Sequence, residues 1–376
     1  MSLILALGRG FLNFIYFFHR LVPVKNRISF ISRQNPTPLP DVKLLSAELR
    51  RQSPDTEIVI CCKMIGPGVS GKIKYFFHMI TRQMHLFATS GVVILDGYCI
   101  SACVLKHKKN LKIVQMWHAM GAFKKFGWAS VGQEEGYSLR IARGMRMHAG
   151  YSVVFAGSEE CARLLAPAFG CSRDLMKVMP LPRCDLLKSA VFQAENKKRI
   201  LERYPYLEGK KVILYAPTFR KGKDISPYVN ALIQAQTRED YALVIKLHPL
   251  DKEKIPSDLA VIDGEFSTMK MLCAADYVIT DYSAVVFEAA LAGKPIFRYV
   301  PDQEEYEKGR GFLIDPDREI PAYTAVSAPE ILRAVYEEKY DSAAIKLFAQ
   351  KFAAAGEDNT GEMAKYILGL SVEGQS

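Results

Sequence analysis

The stretch that decides the fold is VITDYSAVVFEAALA, which runs from Val278 to Ala292. Its apolar start, ending at Thr280 and Asp281, predicts the carboxyl end of a buried β-strand. Ser283 is a preferred N-cap residue, so a helix is predicted to begin there. Unbonded amides in the first turn, together with the positive end of the helix dipole, would suit a phosphate group.

Glu288 lies five residues beyond Ser283, where a carboxylate can accept hydrogen bonds from a ribose diol, as the acidic residue of dinucleotide-binding folds does. The same letters also fit an ordinary strand–turn–helix unit with a capping serine. This segment alone therefore leaves two interpretations open, a nucleotide-phosphate site and a structural unit.

The composition is that of a globular protein with two domains. A chain of 376 residues exceeds the size of one hydrophobic core, and 49% hydrophobic against 24% charged residues disfavours extensive disorder. The eight cysteines include no C-x-x-C pair, so zinc and redox motifs have little support. We interpret the cysteines as small buried side chains in a reducing compartment.

The positive charge is concentrated in the first third of the chain. Residues 1–120 contain 16 Lys or Arg and 5 Asp or Glu, whereas the remaining 34 basic and 35 acidic residues nearly cancel. This asymmetry predicts an anionic partner for the N-terminal part: nucleic acid, acidic lipid or a phosphorylated substrate. Nucleic acid is disfavoured because no stacking or groove-reading motif accompanies the basic residues.

The N-terminal segment, residues 1–26, is predicted to be a membrane-interface helix. Residues 3–18, LILALGRGFLNFIYFF, are apolar but short for a spanning helix, and basic residues follow them. Aromatic residues beside basic ones favour a helix lying in the interface of the cytoplasmic leaflet. The alternative is a helix packed on the protein's own surface.

Short apolar runs alternate with helical stretches along the rest of the chain, which predicts an α/β fold with parallel sheets. We predict a Rossmann-like domain over residues 27–180, a polar linker over 181–210 and a second Rossmann-like domain with terminal helices over 211–376. Two such domains facing a central cleft would turn the carboxyl ends of both sheets toward substrate. The predicted strands are 27–31, 57–62, 92–95, 111–117, 152–155, 175–179, 211–215, 241–247, 260–262, 277–280 and 295–299.

Two histidines end predicted strands, one in each domain. His118 ends LKIVQMWH and precedes Lys124, while His248 ends ALVIKLHP and follows Lys246. A single histidine at a strand end is more often structural than catalytic. Matching positions in two paired domains, each beside a lysine, raise the odds of a functional role for both.

Two further segments carry cations that suit phosphate oxygens. YAPTFRKGK places Thr218, Arg220 and neighbouring lysines after a strand, and Arg310 precedes Gly311 in DQEEYEKGRGF. Either segment also fits a solvated basic loop. Walker A and G-x-G-x-x-G motifs are missing from the sequence, and no carboxylate cluster suits a catalytic divalent metal, so no metal or cofactor is expected.

Taken together, these segments resemble the CDP-glycerol glycerophosphotransferases of teichoic acid synthesis. The resemblance covers about residues 111–315 and runs from QMWHAMGAFKKFG through SEECARLLAPAFG, LPRCDLL, VILYAPTFR and KLHP to ITDYSAVVFEAALAGKPIFRYVPDQEEYEKGRGF. It implies a GT-B-like pair of Rossmann-type domains in which the C-terminal domain binds CDP-glycerol. It also implies peripheral attachment to the cytoplasmic face of the bacterial cell membrane, where a prenyl-diphosphate-linked acceptor is presented.

The resemblance assigns roles to residues position by position. His118 matches the family's histidine beside the acceptor hydroxyl, the expected general base, and His248 matches the histidine that contacts the donor diphosphate. Ala119 and Met120 replace the G-T of the family's W-H-G-T, and Ala284 replaces the second serine of D-Y-S-S. The predicted substrate-binding residues are Lys124, Thr218, Arg220, Lys246, Thr280, Asp281, Ser283, Glu288, Asp302, Arg310 and Gly311.

The expected function is therefore metal-independent transfer of glycerol phosphate from CDP-glycerol to a lipid-linked polyol-phosphate or glycan acceptor, at an anionic membrane surface and without nucleic acid. Three alternatives stay open: transfer of ribitol phosphate from CDP-ribitol, a GT-B glycosyltransferase that uses a nucleotide sugar, and a catalytically silent membrane-associated scaffold. The two enzyme classes differ in the nucleotide they liberate, and the scaffold differs from both in needing no His118.

Overall fold

The computed structural model describes residues 2–220, 222–248, 251, 255, 259–309 and 311–373. The chain forms two compact units. The first unit contains the residues up to Ala119, then Lys125–Asp185, and finally the segment from Ala355 onward. The second unit contains Met120–Lys124 and Leu186–Ala354.

The first unit is built on a six-stranded parallel sheet within the described residues, in the order β2-β1-β3-β4-β5-β6. Its strands are rich in Val and Ile, and the inner strands β3, β4 and β5 are almost entirely buried, as expected for a parallel sheet covered on both faces, whereas the edge strands β2 and β6 are more exposed. The strands are β1 Lys25–Ser32, β2 Glu57–Cys62, β3 Ser90–Leu95, β4 Lys112–Gln115, β5 Val153–Ala156 and β6 Met176–Val178.

The second unit repeats this architecture, with a parallel sheet whose described strands follow the order β12-β11-β10-β7-β8-β9. β10 lies at the centre, where Val278 pairs with Ile296 on one side and with Leu214 on the other. The strands are β7 Lys211–Ala216, β8 Tyr241–Ile245, β9 Val261–Ile262, β10 Tyr277–Thr280, β11 Ile296–Tyr299 and β12 Tyr323–Ala325.

Helices connect the strands in both units. Those that lie wholly in the first unit are α1 Ser2–Arg20, α2 Pro40–Gln52, α3 Gly68–His78, α4 Met84–Thr89, α5 Ile100–Val104, α6 Leu139–Gly144, α7 Glu159–Phe169 and α17 Asn359–Glu373. The boundary between the units falls within α8 Arg183–Lys188. Those of the second are α9 Ala190–Arg203, α10 Ser226–Ala235, α11 Thr268–Ala274, α12 Val285–Leu291, α13 Gln303–Gly309, α14 Pro316–Glu319, α15 Ala328–Tyr336 and α16 Ser342–Phe352.

Helix α1 is anchored to the first unit along one face only. The Asn13 side chain donates to the Val104 carbonyl, and the buried Tyr16 hydroxyl contacts His107 Nδ1 at 3.0 Å. The opposite face leaves apolar side chains 53–70% exposed, namely Leu3, Ile4, Leu7, Phe11, Phe14, Phe17 and Phe18. Within the part of the chain that the structure describes, no helix is both long enough and apolar enough to cross a bilayer.

The predicted fold class is confirmed, since both units are α/β with parallel sheets, but three parts of the predicted domain division are wrong. The segment 181–210 is not a linker, because it contains all of α8 and all of α9, and α9 buries Asn196 and Ile200. The tail is divided as well: α17 belongs to the first unit, where it packs on α2 and β3. The N-terminal helix is likewise part of the first unit rather than a separate segment.

Candidate active site

His118 follows strand β4 on a turn with a strained backbone. Trp117 has φ +65°, a left-handed conformation that is unfavourable for a residue with a bulky side chain. The Trp117 amide donates to Gln115 Oε1 at 3.1 Å, and its indole stacks on Phe126 with ring centroids 4.4 Å apart. The turn carries the chain out of the sheet at its carboxyl edge and leaves the His118 side chain half-buried.

One hydrogen bond sets the tautomer of the His118 imidazole. Nδ1 lies 2.6 Å from the backbone carbonyl oxygen of Asp96, the residue that follows strand β3. A carbonyl oxygen can only accept, so Nδ1 carries a proton, and in the neutral imidazole the lone pair is then on Nε2. This is the form of histidine that can take a proton from a hydroxyl group.

A buried ion pair holds the backbone of His118. Arg183 donates through Nη2 to the His118 carbonyl at 3.1 Å and through Nε to Asp41 Oδ2 at 2.8 Å. The Arg183 amide also donates to Asp41 Oδ1 at 2.9 Å. Only 1% of the Asp41 side chain and 14% of the Arg183 side chain are exposed. The sequence analysis quoted LPRCDLL without assigning a role to Arg183, because its partner lies 142 residues away.

The carboxylate of Asp96 is a second polar group that the sequence analysis missed. It is buried, and neither of its oxygens has a hydrogen-bond partner among the described residues. Burial raises the pKa of this carboxyl to about 6. The only local signal is an aspartate directly after an apolar run, VVILD, which is common at the ends of parallel strands.

In the second unit, a buried ionic network lies at the carboxyl ends of β7 and β10. Asp281 is fully buried and accepts from the Thr218 amide at 2.9 Å and from Arg220 Nη1 at 2.8 Å. Arg220 Nη2 donates to Asp302 Oδ1 at 2.9 Å. Burial opposes ionisation of Asp302, but the hydrogen bonds and charge of Arg220 outweigh it and lower the pKa of that carboxyl. Arg220, Asp281 and Asp302, three of the predicted binding residues, thus form one ionic network that fixes the loop after β7.

Aromatic rings cover the Arg220 guanidinium. Tyr282 and Tyr306 stack with centroids 4.0 Å apart, and both rings lie within 6 Å of Arg220 Cζ. The Tyr282 hydroxyl donates to Asp302 Oδ1 at 3.1 Å. Because its side chain is only 4% exposed and ion-paired twice, Arg220 supports the loop rather than presenting an open cation.

Three of the predicted residues lie around that loop at its more exposed side. Lys124, which joins the second unit by a β-bridge to Phe312, places Nζ 3.5 Å from Thr218 Oγ1. The His248 ring lies 5.4 Å from that of Phe219, and His248 is exposed. Burial lowers the pKa of His248, and the nearby Lys124 charge lowers it further against the opposing effect of Asp251. A cation, a hydroxyl and an imidazole therefore surround residues 218–219.

The remaining predicted residues have different surroundings. Lys246 is paired with Asp263 at 2.9 Å, and the buried Thr280 hydroxyl donates to the Ala216 carbonyl. Glu288 is half-buried within α12, and Gly311 has φ +69°, which favours glycine. The predicted Arg310 lies outside the described residues.

The predicted helix start at Ser283 is wrong. Helix α12 begins at Val285, and its N-cap Ala284 makes no side-chain cap. Ser283 instead accepts from the Val285 amide through Oγ and from the Val286 amide through its carbonyl. Because these first-turn amides already have partners, the phosphate site cannot rest on them as predicted.

Among the described residues, no group of three or more His, Cys, Asp or Glu is arranged to hold a metal ion. The Arg220 network explains part of this, because its two carboxylates are neutralised by a guanidinium rather than directed at a cation. Metal independence stays a prediction.

The arrangement is that of a two-domain α/β transferase, and comparison with known proteins identifies the family. The chain belongs to the CDP-glycerol:poly(glycerophosphate) glycerophosphotransferase family, whose model matches residues 14–367. The predicted resemblance is therefore confirmed. This family places the chain among the teichoic acid polyol-phosphate transferases, whose members include both glycerol-phosphate and ribitol-phosphate enzymes.

Two curated relatives show the range of the family. The chain is 29% identical over 359 residues to the teichoic acid poly(ribitol-phosphate) polymerase of Bacillus spizizenii, covering 92% of this chain and 56% of that protein. It is 30% identical over 292 residues to the teichoic acid glycerol-phosphate primase of Bacillus subtilis, covering 76% of this chain and 74% of that protein. The chain thus spans little more than half the length of the polymerase.

Among solved structures, the wall teichoic acid polymerase TagF is similar with a TM-score of 0.77 and 17% identity, over 100% of this chain and 98% of that one. At this identity the likeness concerns the fold alone, which agrees with the predicted GT-B-like class.

Proposed function

We propose that this chain transfers glycerol phosphate from CDP-glycerol to a hydroxyl group of a prenyl-diphosphate-linked teichoic-acid-type acceptor and releases CMP. Family membership and the 30% identity to a glycerol-phosphate primase support this reaction class. A similar fold is found in a TagF variant soaked with CDPG. The proposal assigns acceptor chemistry to the first unit and donor chemistry to the second.

The observation that carries the proposal is the hydrogen bond from His118 Nδ1 to the Asp96 carbonyl. It keeps the Nε2 lone pair in place to accept the proton of the acceptor hydroxyl. The hydroxyl oxygen then forms a bond to the β-phosphorus of the donor, and the bond from that phosphorus to the oxygen bridging to CMP breaks. The proton stays on His118 until solvent removes it, so atoms and charge balance without a metal ion.

On the donor side, the exposed groups around residues 218–219 suit a diphosphate. Lys124, Thr218 and His248 supply a cation, a hydroxyl donor and an imidazole, which match oxygens whose negative charge grows as CMP leaves. Arg220 and Asp281 hold the Thr218 backbone beneath them, so the donors are ordered before substrate arrives.

We also propose that the chain binds the cytoplasmic membrane face peripherally through the first unit. The exposed apolar face of α1 is joined in that unit by exposed side chains of α3, namely Val69, Ile73, Phe76 and Phe77. His19 of α1 contacts the carbonyl of Ile80 at 2.8 Å, in the π-helical segment Met79–Gln83 that follows α3, and so links α1 to the end of α3. Apolar surface of this extent, set in a basic unit, fits an anionic lipid interface.

A donor panel tests the reaction. Purified protein would be incubated with a prenyl-diphosphate-linked acceptor and with CDP-glycerol, CDP-ribitol or a UDP-sugar, with and without EDTA, and the liberated nucleotide would be separated by chromatography. The proposal expects CMP from CDP-glycerol, unaffected by EDTA. CMP from CDP-ribitol alone would favour the second candidate, which the 29% identity to a ribitol-phosphate polymerase supports. UDP release from the UDP-sugar would reject both.

Vesicle flotation tests the membrane contact. Replacing Phe14 and Phe18 with glutamate should abolish binding to phosphatidylglycerol vesicles, because both rings are exposed on α1. Leu347→Glu is the matched control, since Leu347 is 65% exposed in the second unit. Equal loss of binding in the control, or none in the α1 variant, would contradict the assignment.

A further inference from the structure

We propose that Arg183, with its charge balanced by Asp41, is a positioning residue that holds His118 in its reactive orientation. The kinetic part of this inference rests on the proposed function, whereas the geometric part does not. Neither residue was predicted to have a role, and the described contact is with the backbone: the Arg183 guanidinium donates to the His118 carbonyl at 3.1 Å.

His118 needs a positioning contact because Trp117, the residue before it, has a strained backbone. Trp117 adopts φ +65°, and a non-glycine residue keeps this conformation only where its surroundings enforce it. If Trp117 relaxed to an extended conformation, the peptide that follows would rotate and His118 would lose its hydrogen bond to the Asp96 carbonyl. The turn is fixed on its near side by Gln115, which accepts from the Trp117 amide. Arg183 fixes its far side by binding the carbonyl of His118.

The chemistry of the pair explains why arginine occupies this position. A guanidinium has five donors in a rigid plane, so it can bind a carboxylate through two nitrogens and still donate to a carbonyl. Arg183 uses Nε and Nη2 toward Asp41, and Nη2 also reaches His118. A lysine ammonium keeps the charge but cannot reproduce this fork. Asp41, at the start of α2, keeps the buried guanidinium from being an unpaired charge.

Trp117 provides a readout of this geometry that needs no substrate. Its ring centroid lies 4.4 Å from that of His118, so protonation of the imidazole should quench its fluorescence. The chain has two tryptophans, and Trp128→Phe leaves Trp117 as the single emitter. In that background we expect the emission to change with pH, and the part of the change that His118→Asn removes reports His118, because the His148 ring also lies 6.4 Å from the indole.

The test compares Arg183→Lys and Arg183→Ala with Arg27→Ala in the Trp128→Phe background. Arg27 is the control, because it is itself buried, pairs with the half-exposed Glu57 and donates to Thr89, and none of its described contacts involves His118. Both Arg183 variants should lose the fluorescence titration and show kcat lowered by about 10²-fold with an unchanged KM for the donor. Arg27→Ala should lose stability and keep both signals.

The outcomes separate the inference from the proposed function. If Arg183→Lys keeps both the titration and kcat, Arg183 is only a structural residue and the inference is wrong. If the protein proves inactive on every CDP-polyol, the fluorescence titration still decides whether Arg183 orients His118. Should Arg183→Ala fail to fold, Arg183→Lys and Asp41→Asn provide the same comparison, because both alter the fork while keeping side chains of similar size.

Discussion

Replacing Asp281 with asparagine should destabilise the second unit strongly while leaving the first unit intact. Asp281 is 0% exposed, accepts hydrogen bonds from the Thr218 and Tyr282 amides, and forms an ion pair with Arg220. The asparagine side chain would keep the shape but remove the charge, leaving the buried guanidinium with Asp302 as its one described carboxylate partner. Breaking a buried pair from one side costs about 3–5 kcal/mol.

The assay must report the stability of each unit separately, because a chain with two compact units need not unfold in a single two-state transition. Both tryptophans lie in the first unit, so fluorescence-detected denaturation reports that unit alone. Amide hydrogen exchange of peptides from β7 and β10 reports the second, where a loss of about 3 kcal/mol means exchange about 10²-fold faster.

An exposed ion pair in the same unit is the control. Arg203 and Glu265 are 54% and 53% exposed, so solvent screens their interaction and Glu265→Gln should change the stability of the unit little. If Asp281→Asn changes exchange no more than Glu265→Gln does, the network is not the support of the β7 loop that we infer. A fluorescence transition shifted in Asp281→Asn would contradict the expectation that this substitution leaves the first unit intact.

Two further predictions concern stability: buried histidines in the first unit and a closely packed glycine in the second. Burial lowers the pKa of both His107 and His148 to about 4, so the stability that depends on their neutral form is full above pH 6.5 and is lost as the pH falls toward 4. The raised pKa of Asp96 acts in the opposite direction. With about 5 kcal/mol lost through the two histidines together and about 2 kcal/mol regained through Asp96, fluorescence-detected unfolding should show a net loss of about 3 kcal/mol between pH 6.5 and 4, absent from a His107→Phe, His148→Phe variant. Gly121→Ala should destabilise the second unit more than Gly209→Ala does, as measured by hydrogen exchange. Both glycines have positive φ, but of the two only Gly121 would place a new Cβ 2.5 Å from an aromatic ring. Equal effects of the two substitutions would contradict the close packing at Gly121.

The strands were predictable because a buried parallel strand is a local apolar run. The runs at 57–62 and 277–280 match β2 and β10 residue for residue. The segment 181–210 was wrongly predicted to be a linker. Its helix α9 buries little of its surface, so its sequence is as polar and charged as that of a linker. No local sequence pattern shows that α17 belongs to the first unit, because its place there depends on packing against the distant helix α2.

The positions of the candidate site residues after strands were predictable from apolar runs, and the contacts between distant residues were not. His118 and Thr218 do follow β4 and β7, as their places after apolar runs predicted, and their roles stay predictions. Arg183 and Asp41 were missed because a buried pair 142 residues apart leaves no local pattern. Ser283 was misassigned because a serine before a helix can bond its own turn as readily as it caps the helix.

The most direct test of the account is CMP release from CDP-glycerol in the presence of a prenyl-diphosphate-linked acceptor, compared between the native chain and His118→Asn. Asparagine keeps a polar side chain at the turn but has no basic nitrogen, so we predict that turnover falls by about 10²–10⁴-fold while donor binding, measured by calorimetry, is retained. CMP release by His118→Asn at the native rate would contradict the central claim that His118 is the general base.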